Sequence, residues 1–154
     1  VWDDLVCFPV KCRVSYEDSW MEERTYGGKR GHEGTDLMPP TNQRGFYPVF
    51  SATAGTVEHM GWLQKGGWRI GIRSEQGGYF YYAHLSEYAP GMEEGKTVEA
   101  GEMLGYMGDS GYGEEGTVGQ FAVHLHFGIY IQTADGREVS VDPYWILKGL
   151  EGEP

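Results

Sequence analysis

The sequence has no long apolar run and little positive charge. No stretch approaches the roughly 20 consecutive apolar residues that a membrane-spanning helix needs. Lysine and arginine number 12 against 23 aspartates and glutamates, which gives a formal net charge of −11. Nucleic-acid backbones and anionic membranes both attract clustered positive charge. We therefore expect no nucleic-acid partner and no membrane insertion by this chain itself.

Cysteine is also scarce. Cys7 and Cys12 are the two in the sequence, and they do not form the C-x-x-C pair that is typical of cysteine zinc sites. In an oxidising compartment they could close a small disulfide loop, and otherwise they are unpaired thiols, because spacing alone does not decide between the two. The first residue is Val1 rather than Met, so we expect a processed product or an excised domain whose signal peptide or membrane anchor has been left out.

Glycine and tyrosine, by contrast, are abundant, with 25 and 11 copies in 154 residues. Glycine suits tight turns and tyrosine suits strands, so the composition predicts many short strands joined by turns. The length allows one domain with its own core. We predict a mostly β fold: a single antiparallel β-sheet domain over residues 30–148, an irregular N-terminal segment over 1–29 that wraps it, and a tail over 149–154.

Short β-rich runs punctuated by glycine predict the strands. A short C-terminal helix should follow them, with Asp142 as its cap and Pro143 in its first turn, and it should end near Lys148 and Gly149. The predicted strands cover residues 49–52, 55–62, 69–73, 79–85, 102–107, 123–133 and 139–141.

Two histidines stand two positions apart in the longest β-rich segment. In a strand, His124 and His126 would face one side while Leu125 faces the other. Two imidazoles on a buried face need a partner, which a metal or a hydrogen-bonded site would supply. Alternatively, this is the exposed polar face of an amphipathic strand.

A second pair of possible metal ligands lies near the start of the predicted domain. His32 and Asp36 could converge on one cation if the chain turns at Gly34, or they could belong to a polar surface loop. With one histidine of the His124/His126 pair they would make three ligands, which leaves a fourth position open, as in catalytic zinc sites. Zinc there would lower the pKa of bound water to about 7 and polarise a peptide carbonyl.

The remaining histidines carry weaker signals. His84 ends an aromatic strand, where it could serve a site or be a partly buried histidine bonded to backbone. His59 has no partner motif and is interpreted as a non-functional residue.

Several of these motifs, taken in order, resemble those of the lysostaphin-type, or LytM-like, zinc endopeptidases of bacterial cell walls. The resemblance covers roughly residues 30–147. Its main motifs are RGHEGTD at 30–36, YAHLS at 82–86 and HLHF at 124–127, with a turn-rich segment over 95–108 and VDP at 141–143.

The resemblance implies roles for five residues. His32, Asp36 and His126 would bind Zn²⁺, whereas His84 and His124 would be catalytic without bonding the metal. One of the latter would act as general base and the other would steady the developing oxyanion or position the base. The family fold is an antiparallel sheet with zinc in an open groove, and its substrates are cell-wall peptides, including glycine bridges and D-amino-acid cross-links.

We therefore expect a monomeric zinc endopeptidase, extracellular or at the surface of a bacterium, that cleaves peptidoglycan peptides. The alternative is a non-catalytic wall-binding or regulatory domain on the same fold, although the presence of all five expected residues counts against it. The sequence does not decide which peptide bond is cut.

The segment over residues 109–123 is longer than the corresponding segment in many relatives and should form a loop at the groove rim. Tyr82 and Trp62 are candidates to line the groove, with the core as their alternative place.

Overall fold

The structure, a computed structural model, describes residues 4–21, 23–24 and 30–151. All the predicted strands are present with shifted ends, and the very short ones were missed because two or three residues show no period. Within the described residues the elements are β1 (Glu23–Arg24), β2 (Arg30–Gly31), β3 (Thr35–Leu37), β4 (Pro48–Phe50), β5 (Gly55–Leu63), β6 (Gly67–Ser74), β7 (Tyr79–Tyr88), β8 (Thr97–Val98), β9 (Met103–Met107), β10 (Leu125–Gln132), β11 (Glu138–Val141) and α1 (Tyr144–Glu151).

One antiparallel sheet organises the chain, as the sequence predicts. Its strand order is β11-β10-β7-β6-β5-β8, and β3 pairs with β10 while β9 joins β4 to β7. β1 and β2 form a separate two-stranded ribbon. The long central strands β7 and β10 lie side by side, so side chains at their neighbouring ends are brought close together.

Alternation along β7 separates the core from the other face of the sheet. Phe80 and Tyr82 are fully buried, and the Tyr82 ring packs on Phe127 of β10 with a centroid separation of 5.2 Å. The Tyr82 hydroxyl accepts a hydrogen bond from the Ala52 amide at 2.9 Å, so the buried phenol has a partner. Tyr81 lies on the opposite face, as the period of two requires.

Residues 4–21 form none of the named strands or helices, and they are hydrogen-bonded to the rest of the domain. The Val6 and Cys7 amides donate to the Ala52 carbonyl at 2.9 and 3.2 Å. Further along, Ser15 and Met38 exchange two backbone hydrogen bonds, each of 2.9 Å. Both cysteines, Cys7 and Cys12, are free thiols.

The predicted C-terminal helix is present. Asp142 caps it, since its Oδ1 accepts the Tyr144 amide at 3.0 Å. Helix α1 continues to Glu151, beyond the predicted end near Gly149, with Leu147 fully buried. The rest of the predicted tail, 152–154, lies outside the described residues. In the described part of the chain, no helix has the length and apolarity to cross a membrane.

Candidate active site

An open groove on the face of the sheet opposite the core contains all five predicted site residues. Its volume is about 500 Å³, within the usual range of ligand sites. His59 is not among its lining residues, and its side chain is half exposed. The groove is lined by Gly31, His32, Glu33, Asp36, Lys65, Gly66, Tyr81, Ala83, His84, Tyr112, Phe121, His124, His126 and Tyr130.

Three of these residues bring one ligand atom each to a common point. His32 Nε2 lies 3.1 Å from Asp36 Oδ1 and 3.2 Å from His126 Nδ1, and the Asp36 and His126 atoms are 3.1 Å apart. Strand pairing produces this convergence, because β3 and β10 are registered so that Asp36 lies opposite His126. The predicted H-x-x-x-D segment is therefore partly a strand, not only a loop.

Backbone carbonyls orient both imidazoles of this cluster. His126 Nε2 lies 3.0 Å from the Glu33 carbonyl oxygen, and His32 Nδ1 lies 3.3 Å from the Ser19 carbonyl oxygen and 3.1 Å from Ser19 Oγ. A carbonyl oxygen only accepts, so the nitrogen facing it carries the proton. The other nitrogen, Nδ1 of His126 or Nε2 of His32, is then left with its lone pair directed at the cluster.

This donor set fits a zinc ion. Two imidazole lone pairs and a carboxylate oxygen face one another, and only a proton or a cation satisfies such a group. Zinc bonds of about 2.0–2.1 Å in tetrahedral directions place neighbouring ligand atoms roughly 3.3 Å apart, close to the separations observed here. Among the described residues the three groups also meet the spacing needed for one shared ion. Carbonyl partners on the far ring nitrogens are typical of metal-binding histidines.

Charge and backbone shape both maintain the cluster. Burial alone would raise the pKa of Asp36, but the contacts of its carboxylate with the imidazoles of His126 and His32 lower that pKa far below the usual carboxyl value. Asp36 therefore stays an anion. Gly34 has a φ of +149°, and a Cβ on it would lie 2.7 Å from His126 Nε2. The glycine in the motif thus gives the His126 ring its room.

His84 occupies a special backbone position. It has a φ of +64°, uncommon outside glycine, at a place where the register between β6 and β7 shifts. Its amide donates to the Gly66 carbonyl at 2.7 Å, and its Nδ1 donates to the Ser110 carbonyl at 2.8 Å. The Nε2 atom is consequently the unprotonated one. A bulged residue of this kind re-aims a side chain, here into the groove.

His124 lies immediately before β10 and not within it, a small correction to the predicted strand. Its Nδ1 donates to the Ala122 carbonyl at 2.9 Å, and its Nε2 is 3.6 Å from Asp36 Oδ1. The ring centroids of His84 and His124 are 4.9 Å apart. The two rings therefore stand side by side next to the cluster, each with Nε2 available as a proton acceptor.

Burial keeps both of these histidines neutral. Burial, reinforced by the imidazoles of His124 and His126, holds the pKa of His84 well below its usual value. The pKa of His124 is also lowered by burial, although the Asp36 carboxylate opposes the shift. A neutral imidazole can accept a proton, which is the property a general base requires.

Ser110 supports the bulge that carries His84. It is fully buried, and its hydroxyl accepts the Trp68 amide at 3.1 Å and donates to the Leu85 carbonyl at 2.7 Å. One residue therefore bridges β6 and β7 at the shifted register while its carbonyl holds the His84 ring. Gly111 next to it has a φ of +127°, and a Cβ there would lie 3.1 Å from His84 Nδ1.

The groove aromatics differ from those suggested by the sequence. Tyr82 is a core residue, and Trp62 packs on Trp68 at a centroid distance of 5.2 Å outside the groove lining. Both suggestions were wrong. The alternation along β7 would have excluded Tyr82 from the groove, because neighbouring residues of a strand point to opposite faces of the sheet and Tyr81 points to the groove. The predicted rim loop over 109–123 is confirmed, and it contributes two aromatic side chains, Tyr112 and Phe121.

Comparison with known proteins identifies the family. The model of peptidase family M23 matches residues 30–143, which include all five predicted site residues. The chain belongs to peptidase family M23. The lysostaphin-type resemblance is thereby confirmed, and the family together with the His–Asp–His donor set confirms the predicted zinc cofactor.

Three relatives illustrate the similarity. The L-Ala–D-Glu endopeptidase of Bacillus subtilis (strain 168) is 44% identical over 144 residues, 93% of this chain and 42% of that protein. A crystal structure from Ruminococcus gnavus, assigned as a glycyl-glycine endopeptidase LytM, is 57% identical, with a TM-score of 0.88 over 97% of this chain and 62% of that one. The catalytic domain of lysostaphin from Staphylococcus simulans has a TM-score of 0.64 at 26% identity, over 88% of this chain and 92% of that one. The chain thus spans less than two thirds of the first two.

Replacing Ser110 with Ala should destabilise the fold and disorder the His84 bulge. The change leaves a buried amide and a buried carbonyl without partners, at about 1–3 kcal/mol each. Urea denaturation should report a loss of at least about 2 kcal/mol. Thr117→Ala, which removes an exposed hydrogen bond in the same loop, is the matched control and should stay within about 0.5 kcal/mol. Equal stability of the two variants would contradict the bridging role of Ser110.

Proposed function

We propose that this chain is a zinc-dependent endopeptidase that hydrolyses peptide bonds in peptidoglycan, in stem peptides or in cross-bridges. The observation that carries the proposal is the convergence of three electron-pair donors beside two neutral histidines in an open groove. The names of the relatives support a peptidoglycan substrate. We propose accordingly that it acts outside the bacterial cytoplasm or at the cell surface, as a monomer.

We assign the metal ligands as His32 Nε2, Asp36 Oδ1 and His126 Nδ1. When bound there, zinc supplies a Lewis acid that polarises the scissile carbonyl and makes water a better nucleophile. Three protein ligands leave one position for water or substrate, the pattern of a catalytic rather than a structural site. The carbonyls of Glu33 and Ser19 orient the two imidazoles for this task.

We assign proton transfer to His84 and His124. Each has a protonated Nδ1 held by a backbone carbonyl, so each Nε2 can accept a proton from the attacking water. The protonated imidazole then returns that proton to the leaving amine, or its partner steadies the oxyanion as charge develops. The fixed orientation of both rings means that little reorganisation accompanies the reaction.

Replacing His126 with Ala should abolish stoichiometric zinc binding, because two ligands cannot hold the ion against dialysis. Zinc per chain, measured by atomic emission after dialysis against apo buffer, should fall from about one towards zero. His59→Ala removes an exposed histidine outside the groove and should keep its zinc. Full zinc in the His126 variant would show that the ligand assignment is wrong.

Replacing His84 with Ala should preserve zinc but remove most activity. A positioned general base contributes about 10²–10⁴-fold, so turnover should fall by that factor. The assay is mass spectrometry of fragments released from purified peptidoglycan by the zinc-loaded protein. If the variant released fragments at the wild-type rate, His84 would have no catalytic role. If the zinc-loaded wild type releases nothing from several wall chemistries, the result would favour a regulatory domain.

A further inference from the structure

Lys65 is the single permanent cation among the residues that line the groove. The charged side chains there are otherwise the carboxylates of Glu33 and Asp36, in a chain of net charge −11. Lys65 lies in the turn between β5 and β6 and is half-buried. None of the ion pairs formed between described residues includes it. A half-buried lysine without such a partner has its ammonium available to bind an anion from outside the protein.

The turn places Lys65 on the His84 side of the groove. The carbonyl of the next residue, Gly66, accepts the His84 amide at 2.7 Å. The Lys65 carbonyl oxygen and His84 Nδ1 both lie next to Gly111. A Cβ on Gly111 would be 2.4 Å from the former and 3.1 Å from the latter. Lys65 is thus one residue away from the backbone that holds His84.

The acidic wall lies on the other side. Glu33 precedes β3, its carboxylate accepts the Tyr130 hydroxyl at 3.2 Å, and its carbonyl orients His126. In the sheet, β3 pairs with β10, β10 pairs with β7, and β7 pairs with β6. His126 and His84 therefore separate Glu33 from Lys65. A peptide lying across the groove meets negative charge at one end and positive charge at the other.

Two relatives of this chain carry names that imply different charges next to the scissile bond. In an L-Ala–D-Glu bond the glutamate supplies the leaving amine, and one of its two carboxyl groups remains free when the other continues the chain. A glycyl-glycine bond has no such carboxylate. Substrates of the first kind present an anion on the leaving-group side, at the residue whose nitrogen must be protonated as the bond breaks.

We propose that Lys65 forms a carboxylate-binding subsite on the leaving-group side of the groove, which selects peptides with D-Glu after the scissile bond. The proposal rests on the endopeptidase function proposed above. In this proposal His84, the histidine beside Lys65, returns the proton to the leaving amine, so the leaving amine and the free carboxylate of one D-Glu residue meet neighbouring groups of the protein. Pairing an ammonium with a carboxylate also compensates for the excess negative charge that the groove would otherwise present to an acidic substrate.

The test compares three synthetic peptides with the zinc-loaded protein: one containing L-Ala–D-Glu with its free carboxylate, the same peptide with that carboxylate amidated, and pentaglycine. The wild type should prefer the carboxylate over the amide by about 10–100-fold in kcat/KM, as a charge-assisted hydrogen bond provides. In Lys65→Met this ratio should fall to near one, mostly through KM, and in Lys65→Glu it should invert. Lys96→Met changes a lysine outside the groove that pairs with Glu102, and should keep the wild-type ratio.

Equal cleavage of the acid and the amide by the wild type would overturn the subsite, and so would an unchanged ratio in Lys65→Met. Cleavage of pentaglycine alone would also overturn it while leaving the endopeptidase proposal intact. Failure to cleave any of the peptides or purified peptidoglycan, despite one zinc per chain, would instead contradict the endopeptidase function itself.

Discussion

Three electron-pair donors held about 3 Å apart are the constraint around which the rest of this structure is arranged. Backbone carbonyls accept hydrogen bonds from the far nitrogens of His32 and His126, so the near nitrogens of the two rings and the Asp36 carboxylate face one another with their lone pairs. Without a cation or a proton between them such a cluster is unfavourable. A protein that builds it in an open groove therefore has a strong preference for a metal ion at that point.

The sheet makes this arrangement possible by bringing distant parts of the sequence into register. Asp36 lies opposite His126, and His126 lies opposite Ala83, the residue before His84. The N-terminal segment contributes as well, since Ser19 contacts the His32 ring. Ser19 lies outside residues 30–143, the part of the chain that the family model matches, so the N-terminal segment helps to order the site.

Much of this could be predicted from the sequence, for identifiable reasons. The period of two and the glycine punctuation predicted the strands, and the order of the three motifs predicted which histidines gather. The positive φ of His84 could not be predicted from the sequence, because no glycine or asparagine marks the position. The bridge made by Ser110 depends on a register shift between β6 and β7, which appears only when the strands are paired.

The groove lining was the least predictable part. Tyr112 and Phe121 come from a long loop whose path depends on tertiary contacts, and Lys65 comes from a turn with no motif of its own. Single residues of this kind carry no periodic signal, yet they shape and charge the surface that a substrate meets. Families that share a metal centre can therefore differ in the peptide they accept through residues outside the recognisable motifs.

The zinc site is tested most directly by an anomalous-difference map, collected at the zinc absorption edge, from crystals of the zinc-loaded protein. We expect one strong peak bonded to His32 Nε2, Asp36 Oδ1 and His126 Nδ1, with no fourth protein ligand. His84 and His124 should face the peak without bonding it. A peak elsewhere, or a fourth protein ligand that closes the site, would contradict a catalytic zinc centre formed by these three residues.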